Sequence, residues 1–526
     1  MNLLLNFHPL SDELPSNYAD RLGISYTSIV TNEHKKENGQ FFTPTPIARL
    51  MSSFCNNQEE EIKILDPGSG IGILTCSLIE HLVSKNKNLQ YIHLVAYETD
   101  VHLVSFLEKS LSYLRQWLLQ QNISLTYVLC IDDFALANSK YIAANNESKD
   151  TFDIIISNPP YFKLSKDDER AKAAKIIASG QANIYSVFMA IATQLLTDNG
   201  ELIFITPRSF ASGNYFKTFR EFFFQAVAIE KIHLFVSRRD TFNRDSVLQE
   251  TIIMKGRKKG IPNIQFNQIA VSSSLGLKDI QNPTIKLYRS DELIDFSTKE
   301  KMLHLPTNEE EEFVINLFKS WSGSLHKYNI QISTGPVVSF RALNFIHDQF
   351  QNGTTFLAPL FWLHNVDKMS LNWPIQKPNK GQYIKITDES KSILLPNKDY
   401  ILLRRFSTKD DKSRLIATPF FSSTTKSDYI GVENKVNYIY RPKGVLEKNE
   451  VIGLCALLNS NLFDMYFRTF NGNVNVSATE LREITLPPLE TIKALGEQII
   501  NTNDYSLVSL NNLVNEIFDI NHILAA

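Results

Sequence analysis

Cysteine is scarce in this chain. Cys55, Cys76, Cys130 and Cys455 are scattered over 526 positions, and no two form a C-x-x-C pair. That spacing offers neither a disulfide framework nor a zinc or other metal site, and a reducing cytoplasm is the expected setting. Long apolar runs are missing too. None approaches the ~18 residues that would span a membrane, so no membrane partner is expected. The opening stretch from Met1 to Ser16 lacks a basic region followed by an apolar core, and no signal peptide is read there. Internal repeats and low-complexity tracts are absent. Net charge is only −2, which announces no polyanionic partner.

What is present is an ordinary globular composition, 43% apolar and 21% charged, in a chain long enough for two or three full cores. The charge is unevenly placed. Residues 325–445 carry 17 Lys+Arg against 9 Asp+Glu, so the rest of the chain is acidic. A basic segment on an acidic body has the sign of a phosphate-contacting module. Arg404, Arg405, Lys409, Lys412 and Arg414 form its densest cluster. A solvated charged face accounts for that cluster equally well.

From about residue 60 to 255, strand-like runs alternate with helical patterns. Ile62–Asp66, Tyr91–Glu98, Leu125–Cys130, Phe152–Ser157, Glu201–Thr206, Lys231–Val236 and Thr251–Met254 read as strands. Ile71–Val83, Asp100–Gln120, Ile184–Leu196 and Phe216–Val227 read as helices, with Asp100 as an N-cap. The alternation predicts an α/β, doubly wound, mostly parallel sheet. Beyond about 300 the pattern gives way to short strands, with helical periodicity returning at Val451–Phe467 and near Leu507–Phe518.

Chemistry-bearing residues fall at the predicted strand ends. Asp66-Pro67-Gly68-Ser69-Gly70-Ile71-Gly72 follows the first strand. It lacks the G-x-G-x-x-G spacing of dinucleotide folds, and an acid precedes it. Asp66 suits the cationic amino group of an amino acid better than a pyrophosphate, which favours S-adenosylmethionine over NAD. Glu98, ending the second strand, suits ribose hydroxyls. Asp133 and Phe134, after the third, could accept from an adenine amino group and stack on its ring. Each alone is also explained as an ordinary turn or helix entry. Thr43 before Pro44 reads as the N-cap of a helix over Ile47–Phe54, with Pro at the first helical position. Its exposed N–H groups could hold a carboxylate.

The fourth strand stops at Asn158-Pro159-Pro160-Tyr161. Proline has no N–H and a fixed φ, so the ladder cannot continue. Asn158 is left at a carboxyl end, where its side-chain oxygen and the Pro159 carbonyl can accept both hydrogens of one NH2 group. Tyr161 can cover the face of the base or amide bearing it.

In this order, Gln40–Pro46, the Asp66–Gly72 loop, Glu98, Asp133-Phe134 and Asn158–Tyr161 resemble the N6-adenine DNA methyltransferases of type II restriction–modification systems, in the gamma arrangement. Ser333–Val338, Leu403–Ser407 and Arg468–Asn473 are similar to the PstI/BsuBI-type modification methylases. The resemblance implies a Rossmann-like S-adenosylmethionine-binding catalytic domain over 1–310. It implies a mixed α/β target-recognition domain over 311–526. Thr43, Asp66, Gly68, Gly70, Glu98, Asp133 and Phe134 would hold the cofactor. Asn158, Pro159, Pro160 and Tyr161 would act on a flipped adenine, with Tyr161 and Phe242 stacking on it. Arg404, Arg405, Lys409 and Arg414 would contact DNA. A monomer acting on duplex DNA is expected, with a separate cognate restriction endonuclease on the same site. Methylation of RNA adenine or a protein glutamine, or a non-catalytic DNA-binding subunit, are the alternatives.

Overall fold

Short runs rich in Ile, Val and Leu, most of them closed by turn residues, become the strands of one large sheet in the computed structural model. They are β1 (Glu61–Pro67), β2 (Tyr91–Tyr97), β3 (Ser124–Cys130), β4 (Phe152–Ser157), β5 (Leu196–Pro207), β6 (Val227–Phe235), β7 (Thr251–Lys258), β8 (Gln268–Ser274) and β9 (Thr284–Arg289). The helices are α1 (Pro15–Ile29), α2 (Asn32–Glu37), α3 (Thr45–Ser53), α4 (Ile73–Lys85), α5 (Val101–Leu119), α6 (Phe134–Asn138), α7 (Lys140–Ala143), α8 (Glu169–Ala173), α9 (Ile184–Leu195) and α10 (Lys217–Ala226). The structure describes residues 7–37, 39–40, 42–143, 150–177, 182–235, 251–260, 268–277, 279–296, 298–348, 356–407, 411–471 and 475–520. Phe242 and Lys409 lie outside them.

Strand order is β3-β2-β1-β4-β5-β7-β6-β8-β9. The first five strands pair in parallel, and β7 runs antiparallel between β5 and β6. β6 pairs in parallel with β8, and β9 closes antiparallel on β8. This is the doubly wound α/β class expected, with the order reversing between β1 and β4. Ligands of such sheets sit at that reversal, beyond the carboxyl ends of the strands.

The helices are amphipathic, and they pack accordingly. Leu22 and Tyr26 of α1, Ile47 and Met51 of α3, Leu78 of α4 and Leu107 of α5 form one core with Ile62, Ile64, Ile92 and Leu94 of the sheet. Asp100 caps α5 as expected, accepting from the His102 N–H at 2.9 Å. α9 is buried nearly all round, as its almost wholly apolar sequence requires. Among the described residues no helix is long and apolar enough to cross a membrane.

The chain divides into two compact units at Leu303/His304, a little before the 310/311 division expected. Local bonding explains the place. Leu303 N–H donates to Ala211 O in the first unit, whereas Leu305 N–H donates to Thr469 O in the second. The second unit holds a four-stranded antiparallel sheet, ordered Gln331–Thr334, Val436–Tyr440, Tyr400–Arg404, Ala417–Phe420. A mixed sheet of five short strands lies within the same unit, centred on Leu357–Phe361. Helices Glu309–Ser320, Lys448–Asn459, Asn461–Phe470, Ala478–Glu483, Leu489–Thr502 and Leu507–Ile517 pack with them.

The helical pattern over Val451–Phe467 proves to be two helices meeting at Ser460. Apolar periodicity runs across the break, so the pattern alone could not reveal it. Ser460 is extended (φ −70°, ψ 155°), and its buried hydroxyl accepts from the Phe463 N–H at 3.3 Å. Ser460→Ala should therefore destabilise this unit by about 1 kcal/mol in urea unfolding.

Candidate active site at the carboxyl edge of the sheet

The glycine loop after β1 is needed for its backbone shape. Gly68, Gly70 and Gly72 have φ of 78°, 58° and 86°, left-handed values that L-residues avoid. The N–H groups of Gly68, Ser69, Gly70 and Gly72 are taken up within the protein. Gly68 and Ser69 donate to Tyr97 O, Gly72 to Ser69 O, and Gly70 to Glu98 Oε2 at 3.0 Å. Glu98 Oε1 accepts from the Asp100 N–H at 2.8 Å. Burial raises the Glu98 carboxyl to about 7, against the pull of those two N–H groups.

Asp66 lies fully buried at the end of β1 and is not among the side chains lining the cavity described below. Its Oδ2 accepts from Thr75 Oγ1 at 2.6 Å, and Oδ1 is buried without a hydrogen-bond partner among the described residues. Burial raises its carboxyl to about 7, opposed by hydrogen bonds from Thr75 and Ser69.

β4 ends as the prolines require. Ser157 Oγ donates to Pro67 O at 2.6 Å, tying the ends of β4 and β1 together. Asn158 Nδ2 then donates to Thr43 Oγ1 at 3.0 Å, which tethers the amide to the segment before α3. This corrects the expected role of Thr43. Helix α3 begins at Thr45 with Pro44 as its N-cap and no side-chain cap. Thr43 tethers Asn158 instead. The single proton of the Tyr161 hydroxyl is shared between Asn158 Oδ1 at 2.5 Å and Ile205 O at 3.0 Å. Burial pushes this phenol well above its ordinary range, so it stays neutral. Pro159 is buried, and Pro160 reaches the cavity wall.

A cavity of about 360 Å³ opens at the β1/β4 reversal. Gly68, Gly70, Glu98, Asp133, Phe134, Asn158 and Pro160 all line it, joined by Asp132, Phe188 and Arg170. Phe134 is buried, edge-on to Tyr97 and tilted against Phe188. Asp133 caps α6 through Leu136 N–H at 3.0 Å and receives Arg170 Nη1 at 3.3 Å. Three carboxyls against one guanidinium make a wall that repels a pyrophosphate and suits a cation. With an aromatic floor beside them, these residues fit an adenosine carrying a sulfonium and an ammonium group.

A second carboxylate was legible only as a helix cap. Asp100 Oδ2 also accepts from Tyr26 OH at 2.5 Å, His34 Nε2 at 2.7 Å and Gln40 Nε2 at 2.6 Å. Burial opposes its ionisation, but these donors prevail and hold the carboxyl at about 2. Asp100 thereby anchors the segment from α1 to Gln40, and Gln40 lines the cavity. The partners lie 60 to 74 residues away in sequence, so no local motif announces them.

In the second unit the basic cluster separates into different roles. Arg414 is fully buried, its Nε donating to Ser407 Oγ at 3.0 Å and its Nη2 to Asn471 Oδ1 at 2.8 Å. It cannot contact DNA from there, and that expectation is corrected. Arg404 is half-buried, with Nε on Val366 O and Nη2 on Asp367 Oδ1 at 2.9 Å. Arg405 is half-buried as well, with Nη1 on Asn434 O at 3.0 Å.

Residues 85–242 match the Eco57I restriction-modification methylase family. Over 495 residues the chain is 32% identical to the type II methyltransferase M.BsuBI of Bacillus subtilis, covering 92% of this chain and 95% of that one. It is 31% identical over 498 residues to the type II methyltransferase M.PstI of Providencia stuartii, covering 94% and 96%. The solved structure of the type IIL restriction-modification enzyme MmeI in complex with DNA matches at TM-score 0.53 and 11% identity, over 95% of this chain and 74% of that one. At that identity the likeness shows the fold alone.

The raised carboxyl of Asp66 sets a pH dependence of stability. The folded chain holds this proton more tightly than the unfolded one, whose carboxyl titrates near 3.8. The stabilisation is complete below that value and is lost as pH rises through about 7. Urea unfolding should show Asp66→Asn gaining on the wild type by ~1.4 kcal/mol per pH unit across that window. A pH-independent difference would contradict the assignment.

Proposed function

Because the chain belongs to the type II methyltransferases of restriction–modification systems, we propose that it methylates adenine N6 in duplex DNA, with S-adenosylmethionine as donor. The observation that carries this reading is the position of Asn158. It stands where prolines end β4, on the wall of the same cavity as Glu98, Asp133 and Phe134.

When bound, S-adenosylmethionine supplies an electrophilic methyl group. Glu98 accepts from its ribose hydroxyls, Phe134 packs on its adenine, and Asp133 accepts from the adenine amino group. Gly68 and Gly70 shape the wall, and the carboxyls of the site favour its positive charges. Asp66, buried away from the cavity, ties the end of β1 to the first turn of α4 through Thr75.

The target nitrogen is a poor nucleophile because its lone pair is delocalised into the ring. Asn158 Oδ1 and Pro159 O accept its two hydrogens and favour a more tetrahedral nitrogen. The lone pair is thereby freed toward the methyl carbon, whose bond to sulfur would break as the bond to N6 forms. S-adenosylhomocysteine would leave, and N6 would release one proton to water. The gain comes from positioning and from dipoles aimed at charge developing on N6. Thr43 tethers the Asn158 side chain at the cavity wall. Tyr161, and Phe242 on the other face, stack on the flipped base and offset an extrusion cost of a few kcal/mol. The second unit reads the recognition sequence. A separate endonuclease cutting the same unmethylated sequence, action as a monomer and a cytoplasmic location complete the reading.

Labelled methyl from S-adenosylmethionine should appear in duplex DNA and, after digestion, co-migrate with N6-methyl-2′-deoxyadenosine. Asn158→Ala should lower the single-turnover rate by roughly 10²–10³-fold, the loss typical of one preorganised hydrogen-bonding group. Label in cytosine, in RNA or in protein but not in adenine would overturn the proposal, as would wild-type transfer by Asn158→Ala.

A further inference from the structure

In the second unit two large apolar side chains stand out in solvent on one short loop. Phe340 is 70% and Leu343 67% exposed. Scattered exposed apolar residues are unremarkable by themselves. This loop is different because its neighbours bury it firmly. Val337 and Ala342 are fully buried in a small core with Leu360, Trp362 and Ile384. The backbone turns twice through 3₁₀ segments, Ser339–Arg341 and Leu343–Phe345, with Arg341 and Ala342 N–H both on Val338 O. Gly335 permits the loop's base to lie on the connection between Tyr429–Val432 and Val436–Tyr440. A Cβ there would meet Glu433 O at 2.4 Å and Val432 O at 2.5 Å. The result is two apolar side chains held outward on a fixed base.

The charges beside this loop are mostly cationic, with Asp348 and the Asp367 paired to Arg404 as the exposed exceptions. Asn434 N–H donates to Val337 O, and Arg405 N–H donates to Lys435 O, which joins three segments into one surface. Residues 335–347, 404–407 and 433–436 contain Arg341, Arg404, Arg405 and Lys435, and their single carboxylate, Glu433, is buried. Arg341 lies over the Phe340 ring at 5.5 Å, and Arg405 lies over that of Phe406 at 5.8 Å. Lys435 and Arg341 are exposed. Apolar tips among cations match a ligand that is anionic outside and aromatic within. A stacked duplex has that arrangement, and proteins that unstack a base step press rigid apolar side chains into it.

We infer that the loop Val338–Leu343 is a wedge for duplex DNA, with Phe340 and Leu343 entering the base stack and Arg341, Arg405 and Lys435 on flanking phosphates. The inference rests on the proposal that DNA is the substrate, and names the surface that grips it. The wedge supports an unstacked step, and the cations set its position along the backbone.

The test uses the full-length protein and a duplex in which the methylated site has been mapped. Phe340→Ala combined with Leu343→Ala should weaken binding by about 10- to 100-fold. It should also abolish the fluorescence rise of 2-aminopurine at the wedged step, found by scanning positions away from the flipped adenine. Thermal melting and S-adenosylmethionine binding should stay at wild-type values, since both side chains are exposed. Arg341→Gln and Lys435→Gln should each lower the slope of log affinity against log salt by about 1. A double variant that binds and brightens 2-aminopurine like the wild type overturns the wedge while leaving DNA methylation standing. If the wild type methylates no DNA, the parent proposal fails, and the wedge with it. If the double variant instead loses binding to a protein and not to DNA, the surface belongs to that partner and the inference is wrong.

Discussion

The Glu98 carboxylate is the point on which the first unit's ligand-facing edge depends. One oxygen holds the glycine loop that follows β1 and the other holds the first turn of α5. A single buried side chain at the end of β2 thus sets the shape of two neighbouring connections. Asp100, fixed by the same carboxylate, passes the constraint on to Tyr26, His34 and Gln40. Buried carboxylates are tolerated only where donors surround them, and here the donors are the segments that must be positioned. Order in the loop, the helix start and the amino-terminal segment therefore shares one electrostatic origin.

The same economy governs Asn158. Thr43 and Tyr161 hold the two ends of its amide, one on the nitrogen and the other on the oxygen. Strand termination by proline places the side chain, and a threonine from far upstream tethers it. Local sequence supplies the first constraint and tertiary contact the second.

Much of this was legible in the sequence, and the gaps have physical reasons. The strands were legible because buried parallel strands are continuous apolar runs, and the strand end at Asn158 because two prolines cannot extend a ladder. The glycine loop was legible as a turn, but where its N–H groups go was not, since Tyr97 and Glu98, which take three of them, lie about thirty residues away. Thr43 looked like a cap because capping preferences are local, while its partner lies 115 residues away. Arg414 looked like a surface cation because composition reports charge and not depth. Its burial beside Ser407, Asn471 and Phe467 is a tertiary fact. The break at Ser460 was hidden because both helices share one apolar periodicity.

The loop of the second unit divides its residues by direction, with Val337 and Ala342 turned into the core and Phe340, Arg341 and Leu343 turned away from it. Substitution at the outward positions leaves packing untouched, and substitution at the inward ones leaves the exposed surface chemically the same. Selection can therefore act on the two sets independently. A chain built this way can diverge in what it touches while retaining its fold, without passing through unstable intermediates.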